Sequence, residues 1–399
     1  MSAVEARAEL GRHLTTLRSL QWMAGEMGDP YALLLRAEDH TTMSLEQRGP
    51  VWRSELGAWI VTDRRLVRAL LADSRLAGSH PGGARAHAVR GPRWNRPCCH
   101  VLPLDGVAPQ PTPDRVRRLA VLAAAAGPDW GPAERACYRL AETLTGTVDL
   151  VSAYCEPVAV AALGELMELP ESVAPSVADL APVLDALSSP PSLETAERLL
   201  TTAARVRDDV AALVVQRVAE PGAEDLLSAL LGAARRTGAS VEDVRELVTG
   251  LVVVGTRMAA DLAAAALAGL LANGLWTAKH AERAVDDILR HAPPVRFTTL
   301  VSQVDFDLDG LWVEADTPVV ALLAEPTDGA GEAEPLVWRC GLAAGLVPAF
   351  VRRCATTSVR ALMNTFSGVI PMGQPICRPN APVTQGLLSL PVSLATRAA

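Results

Sequence analysis

Apolar positions recur at helical spacing near the amino terminus, at Leu10, Leu14 and Leu17 with Gln21 on the same face, and predict a first helix. The pattern breaks at Gly28-Asp29-Pro30, and Tyr31 to Arg36 opens a second element. Residues 50–54 and 58–62 are rich in β-branched and aromatic side chains around Glu55-Leu56-Gly57, which predicts a β-hairpin. Asp63 is placed to cap a helix over 64–71. Residues 78–113 are crowded with Gly, Pro and Arg and read as a long irregular segment. From Asp114 to Leu275 the periodicity is almost wholly helical, with breaks near Gly127-Pro128, Pro170, Ser188–Ser192, Pro221-Gly222 and Gly238. Ser240-Val241-Glu242-Asp243 forms a capping box ahead of a long apolar helix over 241–273. A short helix, Ala281 to His291, is stopped by Pro293-Pro294, with His291 acting on the helix dipole. Val304–Leu308 and Leu311–Val313 flank Asp309-Gly310, a strong signal for a two-residue hairpin. A buried strand follows over 317–323, then a helix over 348–363, and finally a Pro-rich tail with strand-like residues 387–392. The fold class is mostly α with a smaller β part, in one domain over 1–399. Its parts are an amino-terminal helix and hairpin (1–62), a helical body (114–295), a β segment (300–323) and a carboxy-terminal helix and tail (346–399).

Composition narrows the function classes. The 399 residues are 49% hydrophobic and 21% charged, enough for a sizeable core. A net charge of -8 argues against nucleic acid as partner, because phosphate binding needs a basic face. Of the 37 basic residues only Lys279 is lysine, and no phosphate-loop glycine pattern precedes it, so Schiff-base and Walker-type chemistry is excluded. The stretch 247–275 is apolar enough to suggest a membrane span. Arg257 and Asp261 in its middle make a buried helix of a soluble protein the better reading. Seven scattered cysteines and an amino terminus without an apolar h-region predict reduced thiols and a cytoplasmic protein. Cys98-Cys99-His100 are three consecutive residues without a second Cys/His pair, so no metal site is expected there.

The order of elements resembles a bacterial cytochrome P450 along nearly the whole chain. Gly28-Asp29-Pro30-Tyr31 with Trp59-Ile60-Val61-Thr62 is similar to the amino-terminal hairpin of that family. Residues 252–262 resemble its central I helix, Asp286–Val295 its K helix and exit, and Asp309–Val320 the strands that follow. The resemblance implies a P450-like fold, yet the haem-binding residues depart from the family pattern. A P450 ligates iron through a cysteine thiolate in a Phe-Gly-x-Gly-x-His-x-Cys-x-Gly loop. Registering Pro348 against the family's proline puts Ala344 at the ligand position, and Cys340 lies about one turn upstream as a small buried thiol. The acid and alcohol that relay protons in the I helix are replaced by Arg257 and Met258, neither able to do so. Arg257 and Asp261 stand four apart and pair along the helix, worth a few tenths of a kcal/mol if exposed. Asp287 and Arg290 stand for the structural Glu-x-x-Arg of the K helix. No basic residue for haem propionates is evident after Pro294, where Phe297, Thr298, Thr299 and Leu300 follow. The expectation is a P450-like fold lacking the haem-ligand loop, with no cofactor, no metal and no catalytic residues.

One branch fits better. Gly11-Arg12-His13-Leu14, Leu17-Arg18-x-Leu20-Gln21-Trp22 and Gly28–Arg36 resemble the P450-like auxiliary proteins of antibiotic deoxysugar glycosyltransferases. That resemblance implies a non-catalytic activator of a transferase that moves a TDP-deoxysugar onto a macrolide or anthracycline aglycone. It also implies assembly as a two-plus-two complex. Aromatic side chains anchor interface centres, and among the 15 aromatics of the chain Trp22 and Tyr31 are candidate partner contacts, the alternative being that they pack onto the protein's own β part. Two alternatives remain open at this stage. One is a TDP-4-keto-6-deoxyhexose 3,4-isomerase, which needs an acid and a base that the scattered histidines (13, 40, 80, 87, 100, 280 and 291) do not supply by spacing. The other is a monooxygenase with a displaced ligand.

Overall fold

The computed structural model describes residues 3–36, 43–78, 102, 104, 113–169, 179–220, 224–324, 334–341 and 344–396. The irregular segment expected over 78–113, with Cys98-Cys99-His100, lies almost wholly outside them. Helix α1 (Ala3–Glu26) buries only Leu14, Gln21, Ala24 and Gly25. It is tied to the body by Arg18 donating to the Pro191 carbonyl (2.8 Å) and Gln21 to Ser188 (3.1 Å). Asp29 then caps α2 (Pro30–Leu35), accepting from the Ala32 amide, while its second oxygen accepts from Ser54 Oγ and the Glu55 amide. One carboxylate so fixes both the helix start and the turn of the hairpin β1 (Val51–Arg53) and β2 (Trp59–Val61). Asp63 caps α3 (Arg64–Ala72) as expected, accepting from the Leu66 amide.

The helical body runs through α4 (Pro113–Ala126), α5 (Gly131–Glu142), α6 (Glu156–Met167), α7 (Leu193–Ala219), α8 (Leu226–Thr237) and α9 (Val241–Gly250). It is not helical throughout, because Thr147–Asp149 forms a strand, β4, between α5 and α6. The capping box at α9 is present in both directions: Ser240 Oγ accepts from the Asp243 amide, and Asp243 accepts from the Ser240 amide. A π-helical turn, Leu251–Gly255, joins α9 to α10 (Thr256–Ala272), so the long central helix carries an irregular turn beside the positions of interest. The candidate membrane span falls on this helix, and 89% of its apolar window is buried inside the protein. It is a core helix. Helix α11 (Ala281–His291) ends where the two prolines require.

The main sheet has the order β1-β2-β8-β5-β3, with β3 at Leu76–Ala77, β5 at Phe297–Ser302 and β8 at Pro318–Leu322. Only β2 and β8 are parallel, with Ile60 opposite Val320. Strand β5 begins three residues before the expected β segment, and every one of its side chains is buried. Hairpin β6 (Phe306–Leu308) and β7 (Leu311–Val313) turns through Asp309 and Gly310 at φ 53° and 85°, the backbone of a type I′ turn.

Helix α12 (Val347–Thr365) leads into β9 (Phe366–Pro371), which the Ser-Gly and proline content concealed. The stretch read as one strand over 387–392 is divided. Leu387–Ser389 (β11) pairs with β10 (Ile376–Cys377), and Pro391–Thr396 (β12) lies between β4 and β9. Asp149 holds that division in place, because its carboxylate accepts from Ser389 Oγ and from the Val151 amide at 2.8 Å. Burial opposes its charge, but these hydrogen bonds win and hold the carboxyl below the usual aspartate range. A folded pKa below the unfolded one supplies stability above the unfolded value and loses it as pH falls through the folded value. Asp149→Asn is therefore expected to destabilise the chain at pH 7, with the gap to wild type closing below about pH 4 in denaturant titrations.

Candidate functional site

The family pattern places chemistry where the central helix faces the segment before α12, and the geometry there differs from that of a haem protein. Residues 336–339 form one 3-10 turn, and Cys340 at its end is fully buried with its thiol donating to the Val337 carbonyl at 3.0 Å. Ala344, which the register of Pro348 sets at the ligand position, is half-buried against the core, and its side chain has no donor atom. Gly345 follows at φ 65°, a conformation suited to glycine. A Cβ on it would come within 2.9 Å of Leu247 on α9 and 3.5 Å of the Leu119 carbonyl on α4. Phe350 of α12 reaches the central helix at Gly255, where an added Cβ would meet its ring at 3.3 Å.

Arg257 and Met258, which the sequence register sets at the positions of the proton relay, are both buried. Arg257 makes a two-pronged ion pair with Asp261, Nε to Oδ2 at 2.9 Å and Nη2 to Oδ1, and a third bond from Nη1 to Glu156 at 2.8 Å. Arg378 from the carboxy-terminal segment completes the cluster, 3.2 Å from Asp261 and 3.8 Å from Glu156. The expectation of a loose pair along the helix needs correcting. Arg257 is only 7% exposed and Asp261 3%, so the two charges are a buried network in which each partner compensates the other's desolvation. Burial favours the neutral form of Arg257, but Asp261 and Glu156 outweigh it and hold the guanidinium above its ordinary value. The backbone closes on this cluster at Gly386, whose carbonyl accepts from the Arg378 amide at 2.9 Å.

A second carboxylate, Asp185, was not singled out by any motif. It accepts from the Val383 and Thr384 amides and from Thr384 Oγ1 at 2.8–2.9 Å, fixing the same carboxy-terminal segment from the other side. Burial pushes its carboxyl up, against three hydrogen bonds that favour its charged form. Tyr154, in the π-helical turn before α6, is equally silent in sequence. Its hydroxyl donates to the carbonyls of Cys137 and Ser358 and joins α5 to α12.

The remaining expected residues divide. Asp287 is exposed, and its ion pair is with Arg283 on the same helix. The carboxylate that ties α11 to α12 is its neighbour Asp286, 2.6 Å from Arg352, while Arg290 lies half-buried on the same helix. Arg296, two residues past Pro294, is a buried basic side chain that the reading of Phe297–Leu300 passed over. Tyr31 is 5% exposed and packs edge-on against Phe297, with ring centroids 5.8 Å apart. It belongs to the core and has no free face for a partner. Trp22 stays at the surface, with the Arg36 guanidinium 5.8 Å from its ring centroid.

These residues do not fit a thiolate-held haem. The ligand position lacks sulfur, the nearest thiol is sealed in a turn, and a permanent cation with two carboxylate partners stands where the relay acid belongs. Among the described residues no three of His, Cys, Asp or Glu come close enough to hold a metal ion. The described histidines, His13, His280 and His291, do not gather at the site.

No protein-family model matches the chain. It is 33% identical to Protein AknT of Streptomyces galilaeus, over 97% of this chain and 96% of that one. It is 29% identical to Protein TylM3 of Streptomyces fradiae, over 98% and 95%. Among solved structures it superposes on the open cytochrome P450 EryK from S. erythraea with a TM-score of 0.71 at 19% identity, covering 90% of this chain and 95% of that one. The fold is that of a cytochrome P450.

Proposed function

This chain belongs to the P450-like auxiliary proteins, the family of AknT and TylM3, and on that premise we propose that it binds a partner glycosyltransferase and holds it in its active conformation. The transferase then moves a TDP-deoxysugar onto a polyketide aglycone of the macrolide or anthracycline type. The observation that carries this reading is 33% identity to Protein AknT over 97% of this chain, on a P450 fold; the register of Pro348, which sets Ala344 rather than a cysteine at the ligand position, supports it. A catalyst under selection keeps its reacting groups, whereas a binding partner needs only its shape and surface.

The physics is mass action. A protein that binds the active transferase better than its inactive or unfolded states shifts the population by its differential affinity. A preference of about 1.4 kcal/mol gives tenfold, and about 4 kcal/mol a thousandfold. No group on this side of the contact needs to touch substrate. The complex forms in the cytoplasm, in a two-plus-two arrangement. When the chain is co-expressed with a deoxysugar glycosyltransferase that it activates, soluble transferase is expected to rise and the two to co-purify through gel filtration. Equal soluble yield without the chain, with no co-elution, overturns the reading.

A further inference from the structure

We propose that the carboxy-terminal sheet, from β9 through β12, is the face on which the glycosyltransferase docks; this rests on the auxiliary function above. Residues 366–396 contain a single charged side chain, Arg378, in a protein that is 21% charged overall. That one charge turns inward to Asp261 and Glu156. The surface of the whole segment is therefore neutral. It is also apolar. Residues 370–377, Ile-Pro-Met-Gly-Gln-Pro-Ile-Cys, are exposed without interruption, with Ile370 at 62%, Met372 at 56% and Ile376 at 53%. Leu388, 51% exposed, is carried on the adjoining strand, where Ile376 pairs with Ser389 and the Met372 amide donates to the Pro391 carbonyl.

Charge depletion with exposed Ile, Leu and Met is the composition that marks the centre of a protein interface. Strand β9 adds a second signal. It is the outer strand of the sheet β4-β12-β9, and edge strands are normally guarded by charge. This one carries none. The segment is also on the scale of the roughly 20–30 residues a side that a standard interface uses.

Charge complementarity selects the occupant. A carboxylate or ammonium pressed onto this surface would lose its hydration and gain no partner, so the matching face must itself be neutral and apolar. A second copy of this chain is the poorer occupant, because each copy brings a net charge of -8 to the encounter. The end of α1 is a weaker candidate. It exposes Trp22, Met23 and Met27, but Arg36 lies over the Trp22 ring and pairs with Glu26, so charge stands within that patch, unlike the carboxy-terminal face.

The test uses the full-length chain and the glycosyltransferase with which it co-purifies, in a binding titration. Ile370→Lys with Ile376→Lys, and separately Met372→Lys, place ammonium groups on the neutral face at exposed positions. The double variant is expected to bind about a hundredfold more weakly, with thermal unfolding unchanged, and Trp22→Ala to bind as wild type. Wild-type affinity in both lysine variants overturns the docking face while leaving the auxiliary function intact. So does a wild-type dimer that the variants dissociate without loss of transferase binding, since the occupant is then a second copy. Absence of binding by the wild type overturns the auxiliary function itself.

Discussion

Asp261→Leu is expected to lower the free energy of unfolding by about 3–5 kcal/mol at neutral pH, the cost of removing one partner from a buried ion pair. The change strips Arg257 of its two-pronged acceptor and Arg378 of its nearer carboxylate, leaving Glu156 alone between two guanidinium groups. Glu156 is partly open to water and is the weaker of the two anchors. For a chain of 399 residues the shift in melting temperature is about 4–6 °C. Arg257→Met in the same chain removes the orphaned cation and is expected to recover most of the loss, because Arg378 keeps Glu156 and the Leu387 carbonyl. The comparison separates a buried network from a surface pair. If Asp261→Leu costs less than about 1 kcal/mol, the charges are behaving as solvated groups and the description of the site is wrong.

Gly386→Ala carries the second large effect. An added Cβ would lie inside contact distance of Asp261 Oδ1 and 2.5 Å from Arg378 Nη1, so either the ion pair opens or the strand that follows, β11, moves. Overpacking of this kind costs about 1–3 kcal/mol. Disruption of the ion pair adds to it, which makes the loss comparable with that of Asp261→Leu. Gly368→Ala is the matched control, because nothing stands within 4 Å of its added Cβ. Denaturant unfolding of the two variants side by side is expected to show a clear loss for the first and a change within about 0.5 kcal/mol for the second.

Local chemistry in the sequence carried most of the fold. The Ser240 capping box, the Asp63 cap, the Asp309-Gly310 turn and the proline stop after His291 each depend on neighbours within a few residues, and each stands where it was expected. The departures share the opposite cause. Arg257 and Asp261 declare their pairing by spacing, but their burial is set by Glu156 and Arg378, 101 and 117 positions away from one or other of them. Tyr31 follows the alternative reading, packing onto the β part, but its partner Phe297 lies on a strand far down the chain and could not be named from local pattern. Strand β9 was concealed because glycine and proline lower strand propensity, and β12 supplies the pairing that overrides it. At the position that the family register assigns to the ligand, the expectation rests on one residue, Ala344. Alanine has no lone pair to give iron, whatever surrounds it.

Transferase turnover, titrated with this purified chain at fixed concentrations of sugar-nucleotide donor and aglycone acceptor, reaches the central claim most directly. The prediction is a saturable rise of at least tenfold, reached at stoichiometric chain and obtained with protein that shows no Soret absorbance. A rate that is already maximal without the chain, or a rise that tracks bound haem, would contradict it.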